Sequence, residues 1–226
     1  MASLLGHALG GGAAMGLAAR IGPAALTAKR AIWLSAAVAV LPDLDVPLSI
    51  VFGQSAALAH RGPSHSLLVI GLLAAAAAVA AIWGALKPEE NPAWGWFRAF
   101  LVFAFVGASH LALDWLMGRG PTVLGVQVMG PRELAPLWPF SDATLANSPI
   151  QLIPTALYST GSWESYFGVL KEWQTWVGML LEVIILVPAL LLAWGKAPAS
   201  IRWPMAGLSA AGMLVTWILY HRNGRL

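Results

Sequence analysis

The chain has 226 residues, of which 58% are hydrophobic and only 10% charged, with a formal net charge of +3. A mean hydropathy of +0.72, and a charged fraction far below the ~25% usual in soluble domains, mark an integral membrane protein. The lack of cysteine excludes disulfides and thiolate metal sites, and the 13 Lys and Arg residues are too scattered for a nucleic-acid footprint.

These bounds predict an all-α fold, a polytopic membrane helix bundle built as one membrane-embedded domain over residues 1–226. Within it, 1–142 carries the motifs, 143–174 forms an interfacial loop and helix, and 175–226 forms a C-terminal helical pair. The opening MASLLGHALGGG has no charged leader region, so no cleaved signal peptide is expected. Residues 4–19 are apolar but contain His7 and the run Gly10–Gly12. Residues 31–51 contain Asp43 and Asp45 between Pro42 and Pro47. Both stretches are expected to be short, broken or re-entrant, because irregular backbone is tolerated at membrane depth only against protein or a wet cavity.

Four stretches reach the ~20 residues a bilayer requires: 66–86, 97–117, 175–195 and 203–220. The first carries no charge, and the third carries Glu182, which is expected to face the bundle. Residues 118–174 are rich in Pro, Gly and Trp. In GSWESYFGVLKEWQTW, residues Trp163, Tyr166, Phe167, Leu170 and Trp173 recur at helical spacing opposite Glu164, Lys171 and Glu172. That pattern predicts an amphipathic helix, lying in the interface or packed on the bundle. Several of the 12 Trp residues fall near expected helix ends, as in an aromatic belt.

Seven of the chain's five His and four Asp fall in or beside apolar stretches: His7, Asp43, Asp45, His60, His65, His110 and Asp114. Ionisable residues are costly at membrane depth and point to function. In SHLALDW, His110 and Asp114 are one helical turn apart on one face and can share an ion. The plainer reading is a His–Asp hydrogen bond. In LPDLDVP the two prolines argue for an extended segment in which Asp43 and Asp45 point the same way. The plainer reading there is a capping turn. In HRGPSHSL, Ser64 is placed to cap the next helix with His65 in its first turn, and Arg61 offers a planar fork to an anion. Arg61 read plainly is a juxtamembrane anchor, and His7 alone is a buried hydrogen-bonding residue.

Topology strengthens the joint reading. If all six stretches cross or nearly cross the bilayer, alternating direction places the seven residues at one membrane face. The short loops of the other face hold Arg20, Lys29, Arg30, Lys87, Arg98, Lys196 and Arg202. By the positive-inside rule, the site then faces the periplasmic or extracellular side.

The order of the motifs GHALGGG, LPDLD, HRGPSHSL, SHLALDWL and LWPFSD (137–142) resembles the YdjM/YbcI family of bacterial inner-membrane proteins, over about residues 1–142. The resemblance implies a multi-pass inner-membrane protein that acts as a metal-dependent hydrolase. A weaker similarity, the His-x-x-x-Asp pair at His110 and Asp114, is to zinc-dependent phospholipase C. This chain lacks that family's second helical pair of His and Glu, which argues against a three-zinc site.

The chemistry expected of the seven residues is that of one or two divalent ions, zinc first, with manganese or magnesium as alternatives. Asp45, His65, His110 and Asp114 are the expected core ligands, completed by Asp43, His60 and His7. Asp43 is alternatively a catalytic base, and Arg61 is the expected catalytic charge partner for an anionic substrate. Asp142 is a candidate outer residue. Ser64 and Ser66 flank His65, but adjacency alone does not make a serine nucleophile. A site at membrane level suits a membrane lipid as partner and a phosphoester of a phospholipid or lipid-linked phosphate as substrate, cleaved by metal-activated water. The alternatives are ester or amide hydrolysis, a divalent-metal transporter or channel, and a structural metal.

Overall fold

A computed structural model of the chain describes residues 3–19, 28–53, 60–83, 91–116, 134–141, 143–145, 152, 163–171 and 173–223. The helices are α1 (Leu4–Ala18), α2 (Ala28–Val40), α3 (Asp45–Phe52), α4 (Leu67–Ile82), α5 (Pro92–Leu116), α6 (Trp163–Gly168), α7 (Trp173–Ala193) and α8 (Arg202–Asn223). The described residues contain no strand, only an isolated bridge between Leu134 and Leu145. The all-α expectation therefore holds.

Among the described residues, three helical runs are long and apolar enough to cross a membrane: Arg30–Phe52, Pro92–Leu116 and Thr175–Ala193. This corrects the expected four. The stretch 66–86 yields α4, whose 16 residues span only ~24 Å at ~1.5 Å per residue, short of a ~30 Å hydrocarbon core. The stretch 203–220 lies within α8, which is not among these three runs.

The prolines of LPDLDVP do not break their run. Pro42 opens a 3-10 turn over Leu41–Leu44, and Pro47 sits in the first turn of α3. First-turn positions lack an intrahelical N–H partner anyway, so proline is tolerated there. The segment is helical, not extended, and it belongs to the 23-residue candidate span. The long amphipathic helix is also shorter than expected. Its run stops at Gly168, the poorest helix former in it, passes through a 3-10 turn over Val169–Lys171, and resumes as α7 at Trp173.

Helix α1 packs against α2, α5 and α7; α4 packs on α5 and α2; and α8 packs on α7. The shared core joins Met15, Val38, Ala74, Ala78, Ala81, Val102, Phe103 and Val106, all buried. Small residues let backbones approach closely, which is how helices associate where lipid is as apolar as the core. Large apolar side chains such as Leu17, Trp33, Phe52, Leu72, Trp83 and Trp203 are exposed on the outside. They suit a hydrocarbon solvent.

The contact of α1 with α7 runs parallel. Ser3 meets Glu182, Gly12 meets Leu190, and Gly16 meets Trp194. Helix α1 thus begins beside the middle of α7. The Trp194 indole N–H donates to the Gly12 carbonyl at 2.8 Å, which fixes the ring. A Cβ on Gly16 would lie 2.7 Å from that ring and 3.0 Å from the Ala193 backbone. Gly16→Ala should therefore destabilise the detergent-solubilised protein by about 1–3 kcal/mol. Gly71, with open space around it, should tolerate alanine or gain stability. Thermal unfolding of the two variants should move in opposite directions or differ clearly in size; equal shifts would remove this account of the α1–α7 contact.

Candidate metal centre

Four elements bring the seven residues together. Helix α1 supplies His7, the 3-10 turn and the start of α3 supply Asp43 and Asp45, the turn before α4 supplies His60 and His65, and the last turns of α5 supply His110 and Asp114. His7, His65, His110, Asp43 and Asp114 are fully buried or within 1% of it. The side chain of His60 is 24% exposed, so the cluster has one accessible edge.

Three histidines are oriented from behind. His60 Nδ1 lies 2.9 Å from Asp45 Oδ1. His110 Nδ1 lies 2.7 Å from the Ala39 carbonyl. His65 Nδ1 lies 2.8 Å from the Ser64 hydroxyl, which itself donates to Asp45 Oδ2 at 2.5 Å. A carbonyl or carboxylate on Nδ1 fixes the proton there and leaves Nε2 as a lone-pair donor, the usual support of a metal-bound imidazole. The Nε2 atoms of His7, His60, His65 and His110 have no hydrogen-bond partner, nor do the four oxygens of Asp43 and Asp114.

These partnerless atoms face one another. His65 Nε2 is 3.2 Å from Asp114 Oδ2 and 3.4 Å from Asp43 Oδ1. His7 Nε2 is 3.4 Å from Asp43 Oδ2 and 3.5 Å from Asp114 Oδ1. Donor atoms held ~2.0–2.2 Å from one tetrahedral or octahedral ion stand about 3–3.6 Å apart. Two sets could each hold an ion: His7, Asp43, His110 and Asp114, and Asp43, His60, His65 and Asp114. In both sets the ligand atoms all lie within 4.8 Å of one another. The residues present therefore fit a divalent ion.

Asp45, expected among the core ligands, stands outside both sets and behind His60 and His65. The cause is the 3-10 turn, whose tight winding sends Asp43 inward and Asp45 toward the next turn of chain. Arg61 is fully buried, and its NH2 donates to the Asp114 carbonyl at 2.8 Å and lies 3.2 Å from Asp114 Oδ1. It adopts a positive φ of 64°, a conformation uncommon for non-glycine residues. The helix cap is Ser66, which accepts from the Val69 N–H at 3.2 Å; His65 precedes that cap rather than following it. Ser64, expected as the cap, instead links Asp45 to His65. No sequence signal marks the Ala39 carbonyl, because any residue would supply one. Asp142 lies outside the described residues. The preceding segment is held on the turn, with Ala135 N–H donating to the Arg61 carbonyl at 3.3 Å and Leu67 N–H to the Pro136 carbonyl at 2.9 Å.

Glu182 is buried on α7 and takes Ser3 N–H at 2.8 Å and the Ser3 hydroxyl. It faces the bundle, as expected. Ser3 also caps α1 by accepting from Gly6 N–H at 3.0 Å. This pair seats the first turn of α1, which carries His7.

A family model described as YdjM inner membrane protein matches residues 1–223. The chain belongs to that family. The match runs well beyond the 1–142 region of the motif resemblance and takes in all of α7 and α8. Membership makes this an inner membrane protein, in keeping with its three candidate spans. No curated protein and no solved structure matches the chain.

Burial opposes a charge on His65, yet the carboxylates of Asp114, Asp43 and Asp45, 3.2–3.4 Å from its ring nitrogens, prevail and raise its pKa well above the usual imidazole value. A proton on His65 must leave before Nε2 can take a metal ion. Metal affinity should therefore rise with pH and keep rising above the ordinary imidazole pKa of ~6.5. Competition titrations with a metal indicator across that range would show it, and a flat affinity would contradict it. Asp45→Asn should weaken metal binding by about 10–100-fold without abolishing it, as loss of an orienting carboxylate does.

Proposed function

We propose that this YdjM-family protein is a metal-dependent hydrolase of the inner membrane that cleaves a phosphoester of a phospholipid or lipid-linked phosphate. The observation that carries the reading is one buried cluster in which four His Nε2 atoms and four carboxylate oxygens lack a hydrogen-bond partner and two His/Asp sets hold their donor atoms within 4.8 Å of one another. Leaving so many polar atoms unsatisfied costs several kcal/mol in a dry interior, by an estimate of about 1–3 kcal/mol per group. A bound cation satisfies them together.

His7, His60, His65, His110, Asp43 and Asp114 would hold the metal. An ion there supplies Lewis acidity toward a phosphoryl or carbonyl oxygen and lowers the pKa of water. Asp43 serves in this reading as ligand rather than base, since both its oxygens face histidine nitrogens. Asp45, Ser64 and the Ala39 carbonyl orient the imidazoles. Arg61 fixes Asp114 and adds positive charge beside the centre, which favours an anionic substrate.

The lipid part rests on the surroundings of the accessible edge. Leu67, Leu137 and Phe140 are exposed on the turn and on the segment held to it. Acyl or prenyl chains can lie against such a surface while a headgroup reaches His60. The short-loop basic residues support placing this edge on the periplasmic side. Hydrolysis is favoured over transport because the other buried carboxylate, Glu182, is closed off by Ser3, and the described residues hold no second ionisable cluster.

The test uses the full chain in detergent micelles loaded with Zn(II) or Mn(II), offered phospholipids and polyprenyl phosphates, with release of phosphate or headgroup as the readout. Asp114→Asn should lower the rate by more than about 100-fold, beyond the loss typical of an orienting residue. Equal turnover by wild type and variant, or turnover that survives chelation, would overturn the hydrolase reading.

A further inference from the structure

We infer that the centre holds two metal ions, bridged by Asp43 and Asp114, and that the two positions are unequal: one sealed at His7, the other accessible at His60. This inference rests on the metal-binding part of the proposed function and adds the number, sharing and accessibility of the ions.

The first argument is the number of donors. Four imidazole nitrogens and four carboxylate oxygens stand partnerless at the centre. A catalytic zinc ion takes about three protein ligands and a structural one about four. A single ion would leave several of these buried atoms as they are.

The second argument is how each carboxylate is turned. Asp43 directs Oδ2 at His7 and Oδ1 at His65. Asp114 directs Oδ1 at His7 and Oδ2 at His65. Each carboxylate thus offers one oxygen to either side, and the two sides are the same for both. Carboxylates serving one ion would aim their near oxygens at one point. This arrangement has two points, and the two carboxylates connect them.

The third argument is the histidine pairing. The His65 and His110 rings lie 4.8 Å apart across the middle of the cluster, while His7 and His110 pair by stacking at 3.9 Å and His60 and His65 pair edge to face at 4.9 Å. These pairs are the same as those in the two ligand sets that share Asp43 and Asp114. His110 Nε2 lies 3.8 Å from Asp43 Oδ1 and 3.7 Å from Asp114 Oδ2, the oxygens that also face His65, so His110 stands between the two positions and shares the His7 set through its donor spacing.

The inequality follows from burial. His7 and His110 have no exposed side-chain surface, whereas His60 is 24% exposed. An ion in the His60 position can exchange and meet a substrate. An ion in the His7 position is enclosed by α1, α2 and α5.

Metal analysis of the detergent-purified full chain, stripped and reloaded with Mn(II), tests this, with electron paramagnetic resonance on the same samples. Wild type should hold two Mn(II) per chain with an exchange-coupled spectrum. His60→Ala and His7→Ala should each hold one, with an uncoupled spectrum, and His60→Ala should retain the slowly exchanging ion. Two variants on different elements guard against one of them failing to fold. One Mn(II) per wild-type chain with an uncoupled spectrum would overturn the paired centre and leave the single-metal hydrolase standing. Two uncoupled ions would overturn the bridging. Absence of bound metal in wild type would overturn the proposed function itself.

Discussion

Everything in this fold answers to one constraint: a dry, apolar bundle contains a knot of imidazoles and carboxylates whose inner atoms have nothing to bond but each other. Water cannot be supplied cheaply at that depth, and unsatisfied polar atoms are expensive there. The surrounding structure does not relieve the problem by hydrogen bonding. It removes the outer nitrogens of His60, His65 and His110 from play and leaves the inner ones bare. A protein stabilised only by its own hydrogen bonds would do the reverse.

The means of holding the knot together is close helix packing. The site needs α1, the 3-10 turn, the His60–His65 turn and α5 within a few ångströms of each other, and α1 reaches that position through glycines set against α2, α5 and α7. Gly107 on α5 opposes Ile70 on α4 in the same way. Small residues on the helices thus determine the spacing of the ligands, although none of them touches a ligand's donor atom.

Much of the candidate site was legible in the sequence because ionisable residues in apolar stretches are conspicuous and because alternating spans impose a shared face. His110 and Asp114 were readable as a pair from helical spacing alone. The role of Asp45 was not, since it depends on whether LPDLDVP is extended or wound into a 3-10 turn, and two prolines fit either at the level of local sequence. Ser64 and Ser66 were equally good caps by residue type; the backbone of the turn decides between them. The fold class was plain from composition. The span count was not, because the apolar length of 66–86 exceeds the helix it forms, and because the run through LPDLDVP stays helical despite its two prolines.

The seating of Ser3 against Glu182 has a consequence for how the protein is made. Helix α1 leaves the ribosome before α7, yet its anchor is on α7, 179 positions later in the chain. Until α7 arrives, the start of α1 and the Glu182 carboxylate each lack their partner in the bilayer, and loop closure over so long a separation comes late in folding. The turn of α1 that carries His7 is therefore fully seated only once α7 is in place, so the metal centre depends on a helix that contributes no residue to either ligand set.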